Sequence, residues 1–275
     1  TPEYFIKWTS YLLNNWDSRM VKSIRKKYNL SSKTKPDFSK LHFIQIDEFY
    51  PLNPNQHNSF YNYVNKYYLA SFGIKKSRAH LINTEQIPLA SNMHWTGVFP
   101  QGIVDLTLRH REANSEEEKY QQDSLYLIDQ WCNMYEKKIQ ELGGIGFFLG
   151  GIGPDGHIAF NDPPVANFND PKLVKIVELD EKCRLQQVGE GWFKSLQDAP
   201  SHAITLTVPA IMRSKIISCV VPDERKATAV NDALTGEITT QCPASILRNH
   251  ENCIMWLDRP AASKLPLHMT ESNSM

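Results

Sequence analysis

Apolar positions along this chain of 275 residues alternate between helical and strand-like spacing. Aromatic and aliphatic side chains recur every three or four residues from Tyr4 to Trp16, which predicts an amphipathic helix from the N-terminus to about Tyr28. The apolar run 41–46 predicts a mostly buried strand that ends at Asp47, and the rings in 59–72 predict a second helix.

The remainder of the chain repeats this alternation. Ser115 and the three glutamates after it predict the start of a long helix, which Gly143 and Gly144 end. Further buried strands are predicted at 145–149, 173–179, 203–208, 215–221 and 253–257, with short helices at 184–193 and 227–234. Because strands and helices alternate, we expect an α/β fold: a doubly wound, mostly parallel sheet with helices on both faces.

The domain organisation is predicted to be simple. Residues 1–264 are expected to form a single α/β domain without internal repeats, and residues 265–275 a frayed tail. Periodicity is lost at about 80–115, where prolines and glycines predict an irregular insert. Loops of that length are usually lids, interfaces or inserts, and the sequence does not distinguish among them.

Composition narrows the classes of function. The formal net charge is zero, so nothing favours nucleic acid or an acidic membrane as a partner. No apolar run approaches the ~20 residues that span a bilayer. The five cysteines are scattered and lack metal-type spacing, which predicts reduced thiols in a cytoplasmic protein and gives no sign of a metal site. Homo-oligomerisation stays open.

The glycine-rich stretch 150–162, with the sequence GGIGPDGHIAFND, carries the strongest candidate chemistry. Its glycines and proline turn the backbone sharply, and His157 stands between Asp155 and Asp162. A carboxylate that holds one imidazole nitrogen raises the basicity of the other, as general acid–base catalysis requires. The alternative for a short DGH motif is a turn whose histidine only forms structural hydrogen bonds.

This stretch resembles the glucosamine-6-phosphate deaminase (isomerase) family and the related 6-phosphogluconolactonases. The continuation HIAFN is the deaminase form, whereas lactonases usually have a TASLF-like run after DGH. One departure is Asp162, where deaminases generally carry Glu, so the carboxylate lies about one bond (~1.5 Å) closer to the backbone. The resemblance implies a phosphorylated sugar as ligand, catalytic roles for the imidazole and its two acids, and substrate-binding glycines: Gly151, Gly153 and Gly156.

The acidic pair Asp47-Glu48 is a second candidate because ligands gather at the carboxyl ends of strands in open parallel sheets. A helix cap or a solvated loop is the alternative. The pair resembles the DEY-type element of deaminases, which implies that Asp47 is the proton-transferring base and that Glu48 contributes to substrate binding. Lactonases have an acidic element at the same place, so this pair does not separate the two activities.

Basic residues for a phosphate follow from the same resemblance. Lys226 stands at a strand-to-helix junction, where its ammonium and free backbone N–H groups suit an anion, although a solvated surface lysine is the alternative. Arg184 is the nearest match to a family arginine. Thr1-Pro2 resembles the tail of a phosphate-binding Thr/Ser-Gly-Gly-Thr-Pro loop, so Thr1 is a candidate ligand. The first strand of the fold is then missing, and we expect the sequence to be part of a longer chain.

The implied reaction converts an amino-sugar 6-phosphate to fructose 6-phosphate and ammonium, and it needs neither a metal nor an organic cofactor. His157 assists ring opening, and Asp47 moves a proton from C2 to C1. Two alternatives remain. The segments 203–211 and 254–258 are as typical of lactonases as of deaminases, which favours hydrolysis of 6-phosphogluconolactone. The shortened carboxylate at Asp162 and the incomplete loop suit a non-catalytic sugar-phosphate sensor.

Overall fold

The structure is a computed structural model that describes residues 3–30 and 32–270. The predictions for Thr1 and for residues 271–275 lie outside the described residues. The chain divides into two compact units, Thr1–Gln45 with Pro54–Ile82 and Ile46–Asn53 with Asn83–Met275. The prediction of one domain over 1–264 stays a prediction, and the two units are described separately below.

The described residues form eight strands in three sheets. The strands are β1 (Phe43–Ile44), β2 (Asp47–Tyr50), β3 (Ala79–His80), β4 (Phe147–Gly150), β5 (Val174–Glu178), β6 (His202–Leu206), β7 (Ile216–Val221) and β8 (Cys253–Leu257). The α-helices are α1 (Glu3–Asn14), α2 (Arg19–Lys27), α3 (Phe60–Tyr63), α4 (Ala70–Phe72), α5 (Trp95–Val98), α6 (Glu116–Glu141), α7 (Glu181–Gly189), α8 (Val208–Met212), α9 (Ala227–Thr235) and α10 (Leu267–Thr270).

The first unit begins with two helices rather than the single one predicted. The prediction of one helix to Tyr28 is wrong because α1 ends at Asn14 and α2 starts after Ser18. Ser18 has extended backbone angles, and its side chain accepts a hydrogen bond from the Val21 N–H. This N-cap satisfies a donor that a continuous helix would have bonded internally, so the chain restarts there.

The core of the first unit lies between its small parallel sheet and the segment 60–72. In that segment α3 and α4 flank a stretch of π-helix, Val64–Leu69. The prediction of a helical segment is confirmed, but its fully buried side chains are Val64 and Leu69, which join Ile74 in one cluster, while the rings of Tyr68 and Phe72 are only partly buried against it. Phe43 of β1 and Ala79 of β3, which pair in register, pack against that cluster.

An antiparallel sheet in the order β2-β6-β5 lies at the centre of the second unit. Of the strand predicted over 41–46, only β1 is formed, so the remainder of that prediction is wrong. The side chain of Gln45 turns inward, and its Oε1 accepts the Ile82 N–H at 3.0 Å. Asp47 therefore begins a strand instead of following one. It lies opposite Thr205 of β6 in the β2–β6 register.

A parallel sheet in the order β4-β7-β8 forms the rest of the second unit's β-structure. One face buries Phe148, Ile217 and Cys219. The expectation that β4 and β7 are buried on both faces is wrong, since Phe147 and Ile216 on the other face are 55% and 46% exposed. The α/β class is confirmed, with mostly parallel strand pairs and one antiparallel sheet that the pattern did not predict.

The long helix α6 is confirmed. Ser115 accepts a hydrogen bond from the Glu118 N–H as its N-cap, and the buried side chains include Leu125, Ile128, Cys132, Tyr135 and Ile139. The predicted irregular stretch 80–115 contains only short helical turns in the second unit, and Arg111 fastens its end to α6 through two 2.8 Å bonds to Glu118. Among the described helices, none combines the length and apolar character that crossing a bilayer requires.

Candidate active site

The loop after β4 is fastened to the antiparallel sheet rather than left free. The Phe160 N–H donates to Thr205 Oγ1 at 3.1 Å, and the Asn161 side-chain amide donates to the Leu206 carbonyl at 2.8 Å. Phe160 also packs against Phe49 of β2, with ring centroids 4.9 Å apart. These contacts bring the glycine-rich stretch to the strand that carries Asp47.

His157 lies in contact with both predicted acids. Its Nδ1 is 2.8 Å from Asp155 Oδ1 and 3.4 Å from Asp162 Oδ1. The imidazole is 10% exposed and the Asp162 side chain is fully buried. Burial alone lowers the pKa of His157, but the neighbouring Asp155 and Asp162 carboxylates outweigh burial and raise it. Nδ1 thus faces the acids, and Nε2 remains for proton exchange with a ligand.

The two acids differ in their electrostatic state. Burial raises the pKa of Asp155, yet the contact with His157 is stronger and holds it below its ordinary value. Burial also raises the pKa of Asp162, and there it prevails over the charge of His157 and the Asp180 N–H that donates to Oδ2 at 3.2 Å. Asp155 is therefore the better partner for an imidazolium ion.

The glycines make room for the imidazole. A Cβ on Gly153 would overlap the His157 ring, and the Gly153 N–H donates to the His157 carbonyl at 2.9 Å. Gly156 has a φ of +82° and lies against Cys242, so a side chain there would be both strained and obstructed. Gly151 passes close to the Val220 carbonyl. These three glycines are explained by packing of the loop, and their predicted contact with a substrate stays a prediction.

Asp47 lies on the face of β2 that looks toward this loop. Directly opposite residues in an antiparallel pair share a face, and Asp47 is opposite Thr205, whose hydroxyl holds the loop. Burial, together with Glu48, raises the pKa of Asp47 to about 7, while the charge of His157 acts in the opposite direction. Asp47 and His157 are therefore electrostatically coupled, and the pKa of the Asp47 carboxyl group lies near neutrality.

Glu48 lies on the opposite face of β2 from Asp47, because side chains alternate along a strand. It is fully buried, and its Oε1 accepts the N–H of Phe49 at 3.0 Å. The structure does not bring it to the same side as His157. Its predicted role in substrate binding stays a prediction.

Lys226 belongs to the electrostatic neighbourhood of the imidazole. It immediately precedes α9, and its side chain is 13% exposed, with Nζ 3.9 Å from Glu190 Oε1. Burial lowers the pKa of Lys226, and its charge in turn lowers the pKa of His157. A largely buried ammonium at the start of a helix, with Glu190 at a long 3.9 Å, is suited to an anionic group.

Arg184 is occupied elsewhere in the fold. Its guanidinium donates to the backbone carbonyls of Leu196 and Ala199 at 2.7–3.2 Å, which ties α7 to the segment before β6. The structure does not bring it into the cluster around His157. These bonds occupy the guanidinium and do not favour a contact with the substrate. The predicted substrate contact of Arg184 stays a prediction.

Cys183 is a member of the cluster that the sequence analysis missed. The helix α7 starts at Glu181, earlier than predicted, because Asp180 caps it by accepting the Cys183 N–H at 2.7 Å. This start places the thiol next to Asp162 and His157, and the ligand atoms of the three residues lie within 4.8 Å of one another. Burial and the Asp162 carboxylate raise the pKa of Cys183. The cap motif LDEKC was the available signal.

The arrangement is suited to proton transfer. A carboxyl group with a pKa of about 7 exchanges protons readily at neutral pH, and an imidazole held by acids on one side can donate or accept on the other. A pocket near the end of α6 is lined by Ile139, Leu173 and Arg213 among others, and no residue of the His157 cluster lines it. The fold and the cluster together define an α/β protein with a buried acid–imidazole centre.

Comparison with known proteins identifies the family. The family model described as glucosamine-6-phosphate isomerases/6-phosphogluconolactonase matches residues 19–256. The chain belongs to this family. A glucosamine-6-phosphate deaminase of Clostridium botulinum (strain Kyoto / Type A2) is 30% identical over 239 residues, which is 87% of this chain and 80% of the relative.

Solved structures agree on the fold. A monomeric glucosamine-6-phosphate deaminase is similar with a TM-score of 0.63 and 25% identity, over 89% of this chain and 81% of that one. The 6-phosphogluconolactonase of Leishmania guyanensis has a TM-score of 0.57 at 18% identity, over 95% and 96% of the two chains. The second likeness concerns the fold alone.

Proposed function

We propose that this protein isomerises and deaminates an amino-sugar 6-phosphate, converting glucosamine 6-phosphate to fructose 6-phosphate and ammonium. The observation that carries the proposal is the electrostatic coupling of Asp47, whose pKa burial raises to about 7, with His157 in the signature loop that Thr205 of β6 holds. The deaminase form HIAFN and the relative at 30% identity support it.

The steps follow from these two groups. His157, with Nδ1 against Asp155, passes a proton from Nε2 to the ring oxygen and opens the pyranose. Ionised Asp47 then removes the proton on C2 and returns it to C1, which gives a ketose imine. Water adds to the imine carbon, and ammonium leaves. Each positioned acid or base typically contributes about 10²–10⁴-fold to the rate.

The substrate phosphate is assigned to Lys226 and the backbone at the start of α9. The ammonium supplies a charge that its long contact with Glu190 leaves available. The positive end of the α9 dipole adds to the attraction for an anion, while the Ala227 N–H itself already donates to the Glu224 carbonyl. The free thiols of the five cysteines fit a reducing, cytoplasmic setting for this metabolism.

The test is ammonium release from glucosamine 6-phosphate by the full-length protein. We expect turnover by the wild type, a loss of at least about 10²-fold in Asp47→Asn, and unchanged turnover in Asp123→Asn, an exposed carboxylate of α6. Wild-type protein that releases no ammonium, or an Asp47→Asn variant that matches it, would contradict the proposal. Binding of the sugar phosphate without turnover would indicate a sensor.

Lactone hydrolysis is the second candidate because the family model covers both activities. An imidazole held by Asp155 can activate water on its own, so hydrolysis of 6-phosphogluconolactone needs His157 but not a C2 proton acceptor. Parallel assays separate the two. Lactone hydrolysis above the spontaneous rate that survives in Asp47→Asn and disappears in His157→Gln would assign the protein to the lactonases.

A further inference from the structure

Three different kinds of ligand atom meet beside the proposed catalytic imidazole. A ring nitrogen of His157, a carboxylate oxygen of Asp162 and the thiol sulfur of Cys183 lie within 4.8 Å of one another, and all three residues are buried. We propose that they form a binding site for a divalent transition-metal ion such as Zn²⁺.

The spacing is close to what a metal requires. Zn²⁺ binds nitrogen and oxygen at about 2.0–2.2 Å and thiolate sulfur at about 2.3 Å, so tetrahedral ligands lie roughly 3.5 Å apart. His157 Nδ1 and Asp162 Oδ1 are already 3.4 Å apart. The sulfur lies within 4.8 Å of both atoms, so it must approach them by at most about 1.3 Å to complete the set. Three protein ligands leave a fourth position for water.

The atoms also have unused bonding capacity. Within the described part of the chain, His157 Nδ1, Asp162 Oδ1 and Asp155 Oδ2 are buried without a well-directed hydrogen bond. His157 Nδ1 and Asp155 Oδ1 are 2.8 Å apart, so the angle of this contact, rather than its length, departs from hydrogen-bond geometry. Buried polar atoms without partners are uncommon and costly, and a cation among them would satisfy several at once.

The donor set selects the type of ion. A thiolate, an imidazole and a carboxylate together suit Zn²⁺ or Co²⁺, whereas Mg²⁺ prefers oxygen ligands in an octahedral arrangement. Binding replaces the proton of the Cys183 thiol and any proton on the ligating nitrogen of His157, so the metal competes with protons. An imidazole that coordinates a metal, and an Asp162 that neutralises it, are no longer available for proton transfer.

The experiment measures Zn²⁺ binding directly by titration against a chromogenic chelator, using the full chain at neutral pH. Cys183→Ser and Cys183→Ala remove the sulfur, and Cys132→Ser is the matched control, since that buried thiol lies on α6 among other charged neighbours. His42→Asn is included because His42 and His80 form an exposed histidine pair, 3.0 Å apart, in the first unit. Thermal unfolding of each variant verifies that it is folded.

We expect saturable binding of one Zn²⁺, an affinity at least about 10-fold lower in both Cys183 variants, and wild-type affinity in Cys132→Ser and His42→Asn. With Co²⁺ as probe, a thiolate charge-transfer absorption should appear in the wild type and vanish in Cys183→Ser. Absent binding, or equal affinity in folded Cys183 variants, overturns the proposal. Zn²⁺ binding of this kind by a protein that releases no ammonium would leave the metal site intact and overturn only the deaminase assignment.

Discussion

Asp47 and Thr205 lie directly opposite each other in the antiparallel pair β2–β6, and the Thr205 hydroxyl accepts the N–H of Phe160 in the signature loop. One residue of β6 therefore relates the proposed base to the loop that carries the imidazole. Both strands belong to the second unit. The relative position of the two proposed proton-transferring groups thus depends in part on this buried hydroxyl, together with the Asn161 and Phe160 contacts described above.

Replacing that hydroxyl should disturb both stability and catalysis. Thr205→Val leaves the buried Phe160 N–H without an acceptor, which costs about 1–3 kcal/mol in the free energy of unfolding. We expect a lower urea midpoint together with reduced turnover. Thr205→Ser keeps the acceptor and should restore most of both. A Thr205→Val variant that matches the wild type in both measurements would contradict this role of the hydroxyl.

Gly153 should be essential for the position of the imidazole. A Cβ at this residue overlaps the His157 ring, so Gly153→Ala must push the ring away from Asp155. A displacement of about 1 Å at a catalytic group can lower the rate by ~10²-fold. We expect a loss of that order in kcat while the protein stays folded by circular dichroism.

The control is Gly189→Ala at the end of α7, where an added Cβ meets nothing within 4 Å. It should keep full activity, because alanine is better tolerated than glycine in a helix. Activity in Gly153→Ala equal to that of this control would contradict the placement of the ring.

The contribution of Asp47 to the free energy of unfolding should fall as the pH rises. Its pKa is raised from 3.8 to about 7, so between these values the folded protein binds more protons than the unfolded chain. The free energy of unfolding therefore falls with increasing pH, and the loss levels off above about 7. Asp47→Asn removes this effect and should be more stable than the wild type, although it is inactive.

Urea unfolding at pH 5 and pH 8 tests this sign. The advantage of Asp47→Asn should grow by about 2–3 kcal/mol between the two pH values, since one pKa unit corresponds to about 1.4 kcal/mol. The exposed Asp123→Asn variant should show no such growth. A variant advantage that shrinks toward pH 8 would show that the carboxyl group is not destabilised by burial.

Lys226 should govern affinity for the phosphate rather than the rate of the chemical step. Losing a charge-assisted hydrogen bond of about 1.5–3 kcal/mol should raise KM for glucosamine 6-phosphate by roughly 10- to 100-fold in Lys226→Met, with little change in kcat. Arg225→Met is the control, because Arg225 is exposed and already paired with Asp223 at 2.9 Å. Steady-state kinetics in which both variants raise KM equally would indicate a general effect of charge.

The strongest local signals predicted their elements well. The cap at Ser115 and the apolar face of α6 are formed as expected, and β8 has the predicted bounds 253–257. The cluster of His157 with Asp155 and Asp162 also followed from sequence, because the three residues are separated by few bonds. Short-range spacing restricts the geometry enough for such an inference.

The errors arose where tertiary structure decides. Apolar spacing says nothing about whether neighbouring strands run parallel or antiparallel, so the β2-β6-β5 sheet was not predicted. Gln45 within an apolar run was the signal for the break before β2, and Ser18 was the signal for the second helix. Cys183 escaped notice because its contact with Asp162 depends on where α7 meets the loop.

The location of Asp47 within a strand has a practical consequence for protein engineering. Asp47 and the residues after it pair with β6, so substitutions in β2 would disturb that pairing as well as the side chains. A library intended to broaden the accepted sugars should therefore leave β2 and β6 unchanged. Diversity is better placed at the exposed positions of the segment 84–109, because exposed loop positions tolerate variation that a paired strand does not.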